Sequence, residues 1–328
     1  MNKLIKVVAT AVSVAPLSYS AIAEEEVVKE EMVEEEGSIF EAGFDFDWFS
    51  AYIDKNAVQT DRMVMQPCVW ADLTYFEPFR LGFSVWQNYD LSHRRGALYQ
   101  YGLNETDYNI HLGATLWQCE DDKDTNVKLE IGHDWFTYHG VRDEAKEAFP
   151  NTNELYAKLT FNNPIVGVYG SARWMYSDFG CYDQGLHYDL GLNKEFELCD
   201  HLLMEEDTLT LGIDWNVNFG DSNYLYFLFG GVSSPYYYAD EESGEGVWYD
   251  DYDEAPKGGI GGTTIKLYLT WQITDYMSLG GTLAYTALIN GSLREAAGDL
   301  GDDYDFVGAG ADYPRDLVWG GLSLKFEF

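Results

Sequence analysis

The stretch Leu209-Thr210-Leu211-Gly212-Ile213-Asp214-Trp215-Asn216-Val217-Asn218-Phe219 decides the fold. Every other residue is apolar, and the residues between them are Thr, Gly, Asp and Asn. A period of two marks a strand whose two faces meet different surroundings. Soluble strands usually run to about five or six residues. A run this long instead suits a strand tilted through ~25 Å of hydrocarbon.

The pattern recurs. Ile265, Leu267, Leu269, Trp271 and Ile273 alternate with Lys266, Tyr268, Thr270 and Gln272. Tyr108 to Leu116, Leu155 to Phe161 and Leu186 to Leu192 do the same. Twelve spans follow, near 40–53, 62–76, 79–90, 106–118, 126–138, 153–162, 165–178, 185–198, 207–219, 262–273, 277–289 and 315–328. Aromatic residues cluster near the span ends, as interfacial girdles require: Trp48, Trp117, Trp135, Trp174 and Tyr276. Short connections at Glu77-Pro78, 120–125, Asn163-Pro164, 199–206 and 274–276 alternate with longer ones at 91–105, 139–152, 220–261 and 290–314. The predicted fold is all-β: a transmembrane up-and-down antiparallel barrel of twelve strands, with fourteen as the alternative. Tyr224 to Val232 is apolar enough for a further strand. An odd count would invert the later loops, so it is assigned to the fifth external loop, as an extension or an inward fold.

Lys3 and Lys6 precede an apolar stretch from Val7 to Leu17, and Ala21-Ile22-Ala23 supplies a small-x-small end. Residues 1–23 are therefore expected to be a secretory signal peptide. Residues 24–37, dominated by Glu, read as an acidic, disordered periplasmic leader. Residues 38–328 form a single barrel domain.

Composition removes other classes. Against 20 Lys+Arg stand 56 Asp+Glu, a net charge of −36, so phosphate backbones are repelled and nucleic acid is not a partner. An aromatic content of 16% is too high for a chain disordered throughout. Cys68, Cys119, Cys181 and Cys199 are too few for a disulfide scaffold, and the spans place them too far apart to bond.

The chain ends Leu322-Ser323-Leu324-Lys325-Phe326-Glu327-Phe328. This resembles the C-terminal signature of bacterial outer-membrane β-barrels, in which a terminal aromatic is read by the barrel-assembly machinery. The resemblance casts Phe326 and Phe328 as the assembly signal. Trp48-Phe49-Ser50-Ala51-Tyr52-Ile53, Asn151-Thr152-Asn153-Glu154-Leu155-Tyr156 and Leu317-Val318-Trp319-Gly320-Gly321-Leu322 are similar to stretches of a porin-like family of such barrels. Where that family's first strand ends in an aromatic-Arg-Gly pattern, this chain has Asp54-Lys55-Asn56. The resemblance implies an outer-membrane barrel of a Gram-negative-type bacterium, in contact with outer-membrane lipid, with a porin-like role and no catalytic residues.

Alternation sends Asp45, Asp47, Asp72, His111, Lys128, Glu130, Asp134, Arg173, His187, Asp189, Asp214, Lys266, Lys325 and Glu327 to the inner face. Charges in a narrow cavity must pair or be hydrated, and an acidic lining favours cations. The acidic loops at 240–242, 250–254 and 302–305 agree in sign. Their carboxylates are oxygen ligands of the kind Ca²⁺ takes, but neither spacing nor a closing Glu fits a binding loop, so no cofactor is expected. No His-Glu-x-x-His, Gly-x-Ser-x-Gly or phosphate-cradling loop is present. The expected function is a porin-like, non-enzymatic passage for small hydrophilic solutes, favouring cations. The alternatives are an occluded structural or surface-interaction barrel and, third, a hydrolase working at the rim.

Overall fold

The structure, a computed structural model, describes residues 39–76, 78–91, 102–139, 151–176, 184–203, 207–228, 236–239, 246–249, 258–291, 293–294 and 315–328. In chain order the strands are β1 (Phe40–Phe49), β2 (Tyr52–Asp54), β3 (Ala57–Thr60), β4 (Val64–Phe76), β5 (Phe79–Asp90), β6 (Gly102–Gln118), β7 (Asn126–Tyr138) and β8 (Thr152–Asn162). They continue with β9 (Gly167–Met175), β10 (Gly185–Asp200), β11 (Thr208–Gly220), β12 (Tyr236–Ala239), β13 (Gly246–Tyr249), β14 (Gly259–Thr274), β15 (Met277–Leu288) and β16 (Asp316–Glu327). A short helix, α1 (Ser222–Leu228), follows β11.

Twelve of these strands close into one antiparallel barrel. β1 and β4 through β11, then β14 to β16, each pair with the next, and β16 returns to β1. The seam runs from Gly43↔Glu327 to Phe49↔Gly321. Closure satisfies the backbone groups that an open edge would leave bare in lipid. β2–β3 and β12–β13 are two-stranded hairpins outside the barrel sheet.

The two faces are those of a membrane protein. Val69, Leu81, Phe83, Leu112, Ile131, Leu159, Leu190, Leu267 and Leu283 stand exposed on the outside. In water such a continuous apolar surface would drive association; in hydrocarbon it is the solvated face. Gln66, Asp72, Asn88, Glu105, Asn126, Glu154, His187, Asn218, Thr264 and Thr286 are buried instead. An even-stranded cylinder, greasy outside and polar within, is a transmembrane barrel of the outer-membrane kind.

Short turns gather at one end. Asp122 Oδ2 accepts from Thr125 Oγ1 at 2.7 Å. Asn163 Oδ1 accepts from the amides of Ile165 and Val166 at 2.9 and 3.1 Å. Asp207 Oδ2 accepts from the Leu203 amide and the Trp271 indole, each at 2.8 Å. The other end carries the longer connections and is termed the mouth below.

The first strand is shorter than the expected 40–53. The β1–β16 ladder ends at Phe49, with Ser50 N donating to Gly320 O at 2.9 Å. The chain then turns into the β2–β3 hairpin, whose turn residues Lys55 and Asn56 have φ of 47° and 66°. Two positive φ values at the centre make the tight hairpin turn whose twist matches its strands. Tyr224, the residue that opened the ambiguous apolar segment, lies in α1 and not in a membrane strand. The expected leader (1–23), the acidic segment (24–37), the acidic loop runs and Cys181 lie outside the described residues. Cys68 and Cys119 are free thiols.

Candidate functional site

Along the wall formed by β4 to β9 the inward side chains join into a hydrogen-bonded chain of charges. Near the turn end, Arg80 lies 3.4 Å from both Asp72 and Glu130, and His111 Nε2 lies 3.4 Å from Asp72. The Tyr156 hydroxyl donates to Glu130 at 2.9 Å, and Asn109 Nδ2 donates to Asp134 at 2.6 Å and to Tyr156 at 3.1 Å. Arg173 carries the chain toward the mouth, 2.8 Å from Asp134 and 3.4 Å from Glu154.

At the mouth two connections fold inward and meet on Glu154. Lys55, from the β2–β3 turn, places its ammonium 3.3 Å from Glu154 and 3.2 Å from Asp54. The hydroxyl of Tyr224, from α1, donates to the same carboxylate at 2.8 Å. Tyr224 also stacks on His187 at 4.6 Å between ring centres. The hairpin is pinned on its far side: Asn56 Nδ2 donates to Gly262 O at 3.3 Å, and Asn218 Nδ2 donates to the Lys55 carbonyl. Burial alone would lower the Lys55 pKa, but Asp54 and Glu154 raise it well above the usual lysine value, so the ammonium stays charged. For Tyr224, burial and then the Glu154 charge push the phenol up, keeping it a donor.

Beneath this mouth lies a cavity of about 480 Å³ whose walls are drawn from β5 round to β16. A second cavity of about 380 Å³ shares Lys158, Tyr169, Asn216 and Lys266 with the first.

The inward candidates divide between these regions. Asp72, His111 and Glu130 gather around Arg80, and Asp134 and Arg173 join near the middle. Asp189 accepts from Ser171 at 3.0 Å and lies 3.5 Å from His187 Nδ1. Asp214 accepts from Tyr169 at 3.4 Å and faces Lys266 across the β11–β14 pairing. Asp45, in register with Lys325, lies 3.9 Å from its ammonium; Asp47 lies two positions further along β1. Glu327 sits opposite Gly43 at the end of the seam. Lys128 lies opposite Thr160 and has no ion-pair partner among the described residues.

Several residues at the centre of the site were not among the candidates. Arg80, Glu154 and Lys158 occupy inward positions that the same alternation marks, beside Leu81, Leu155 and Leu159. Lys55 and Tyr224 lie in connections, where no periodicity points.

No protein-family model and no curated protein matches the sequence. Similar solved structures include the KdgM porin, at 8% identity and a TM-score of 0.41 over 87% of this chain and 99% of that one. An outer membrane channel from Pseudomonas putida F1 has 13% identity and a TM-score of 0.46 over 92% and 100%. Outer membrane phospholipase A from Escherichia coli has 12% and 0.40 over 87% and 92%. Two of these are named as a porin and a channel and one as a phospholipase, so likeness of this degree selects no activity.

Proposed function

We propose that this chain is a non-enzymatic outer-membrane channel through which small hydrophilic solutes diffuse passively, with a preference for cations. The observation that carries the reading is the pair of abutting polar cavities inside the barrel. A twelve-stranded cylinder lies between barrels filled by side chains and those wide enough for an aqueous channel. The cation preference rests on Asp45, Asp47, Asp72, Glu105, Asp107, Glu130, Asp134, Glu154, Asp189 and Asp214, which outnumber the inward Lys and Arg residues. Low-dielectric walls focus that field along the axis. The test is single-channel recording in planar bilayers under a KCl gradient. Discrete conductance with a cation-selective reversal potential is expected. Anion selectivity would overturn the electrostatic part, and absence of conductance the channel itself.

The filled mouth favours a second reading, a barrel whose lumen is closed by β2–β3 and α1 and whose outer loops meet partners. On the channel reading the same elements are a constriction, so the two readings part on the wild-type conductance. Phe326 and Phe328 are proposed to engage the assembly machinery. Phe328 N donates to Ala42 O at 2.8 Å, while the residue as a whole is 71% exposed. Phe328→Ser is expected to lower the amount of barrel reaching the outer membrane while the variant still folds in detergent. Equal amounts of both proteins in the membrane fraction would count against the signal.

A further inference from the structure

His187 stands on the inward face of β10 at the mouth. It has no exposed surface, yet neither of its ring nitrogens makes a hydrogen bond. A buried polar atom left bare is costly, so a change of state that brings it water or a partner is favoured there. The ring is sealed by α1. Tyr224, itself fully buried, lies on it with 4.6 Å between centres and 19° between planes. α1 is tied to the wall beside this stack. Asp221 donates its amide to Leu186 O at 3.0 Å, accepts from the Leu186 amide at 2.8 Å and accepts from the Tyr224 amide at 2.8 Å. Release of Tyr224 would thus leave α1 hinged on β10 and not detached.

Charged and titratable groups surround the ring. Asp189 stands on the same strand, Arg173 on β9, Glu154 on β8, Asp54 and Lys55 in the β2–β3 hairpin, and Tyr224 on α1. β11 presents Gly220. The carboxylates are already engaged: Glu154 by Lys55, Arg173 and Tyr224, Asp54 by Lys55, and Asp189 by Ser171. Asp189 also comes within 3.5 Å of Nδ1, but outside hydrogen-bonding geometry, and Nε2 has no acceptor. A proton on this ring would put a positive charge within electrostatic range of Lys55 and Arg173, with an N–H facing nothing. The closed mouth therefore accommodates the neutral ring. With Tyr224 withdrawn, water reaches the ring and hydrates an imidazolium, and Asp189 stands beside it.

We propose that His187 and Tyr224 form an acid-operated gate: protonation of His187 displaces Tyr224, swings α1 from the mouth and widens the passage. This rests on the channel reading and supplies its regulation. A hydrated imidazole takes up its proton near pH 6.5, roughly the value of the free side chain. The open state binds that extra proton and the closed state does not. Closure therefore holds fully above about pH 6.5 and weakens by up to about tenfold for each pH unit below it.

One readout needs no conduction. Hydrogen exchange of the α1 amides is followed by mass spectrometry on the folded full-length barrel in detergent and corrected for intrinsic rate. Protection is expected to fall about tenfold or more between about pH 7.5 and about pH 5. His187→Phe keeps a ring under Tyr224, loses no hydrogen bond and cannot take the proton, so its protection should stay level. Heat-modifiable gel migration reports whether each variant is folded; if the Phe variant is not, His187→Gln carries the comparison. His201→Gln, in a short turn at the opposite end, should respond as the wild type does. Level protection in the wild type would overturn the gate. So would an equal fall in a folded His187 variant, which would assign the response to the carboxylates nearby. The other readout is conductance in symmetric KCl over the same range, expected to rise on acidification in the wild type and not in His187→Phe. A fall in protection with a steady, measurable conductance would overturn the claim that α1 narrows the passage. No conductance at any pH would sink the channel reading and leave the acid release of α1 standing on its exchange data.

Discussion

Glu154 concentrates more of this molecule's internal order than any other single side chain described above. Its side chain is 1% exposed, and it is shared by Lys55, Arg173 and the Tyr224 hydroxyl. Taking one partner out of a buried charge cluster leaves the others uncompensated. Glu154→Ala is expected to destabilise the barrel by about 3–5 kcal/mol, read from urea unfolding in lipid vesicles. Faster proteolysis at 52–60 and 222–228 should accompany it. Unchanged unfolding would mean that water replaces the carboxylate without loss. Lys55 adds a conformational argument, since a non-glycine residue at positive φ persists only where its surroundings over-determine it. Its raised pKa gives the contact a definite pH dependence. The stabilisation is fully present below the ordinary lysine value of 10.5 and is lost only as pH rises through the higher folded value. Protection of the hairpin against hydrogen exchange, corrected for intrinsic rate, should therefore be flat from neutral pH up to about that value. A drop near neutrality would assign the contact to another group.

At the scale of elements, α1 is placed by a missing side chain. A Cβ on Gly185 would lie 2.8 Å from the Tyr224 amide nitrogen and 2.9 Å from its Cα, so only glycine lets the helix lie against β10. Gly185→Val is expected to push α1 away from the wall and raise single-channel conductance. An unchanged conductance would show that α1 does not narrow the passage. The barrel strands are held differently, by their outward faces. Leu267 lies near the middle of β14 and is 43% exposed to the hydrocarbon. Leu267→Arg should cost about 2–4 kcal/mol of folding free energy in vesicles, the penalty for a cation at the bilayer midplane. A negligible cost would place that residue outside the bilayer. These outward faces were the legible part of the molecule. Alternation in β11 and β14 could be read directly because a strand's side-chain direction depends only on its immediate neighbours. Lys158 and Glu154 were legible by the same rule. The hairpin at 52–60 was not, because Tyr52 and Ile53 continue the apolar pattern of β1 past the point where its pairing with β16 stops.

For the whole molecule, the decisive feature is an inverted solvent order: apolar atoms outside, a network of charges inside, and hydrogen-bonded closure between β1 and β16. The amino-acid sequence alone determined that inversion and the order of short and long connections, and it pointed to twelve strands; closure of the sheet decided twelve over fourteen. A period of two is local, and lipid admits no sheet edge, so alternation repeated along the chain implies a cylinder. Only the tertiary structure decided what occupies the cylinder. Asn56 reaches Gly262 across 206 residues and Tyr224 reaches Glu154 across 70. Which cations find a carboxylate, and which are left facing open space, follows from such distant meetings, and no pattern between sequence neighbours encodes them.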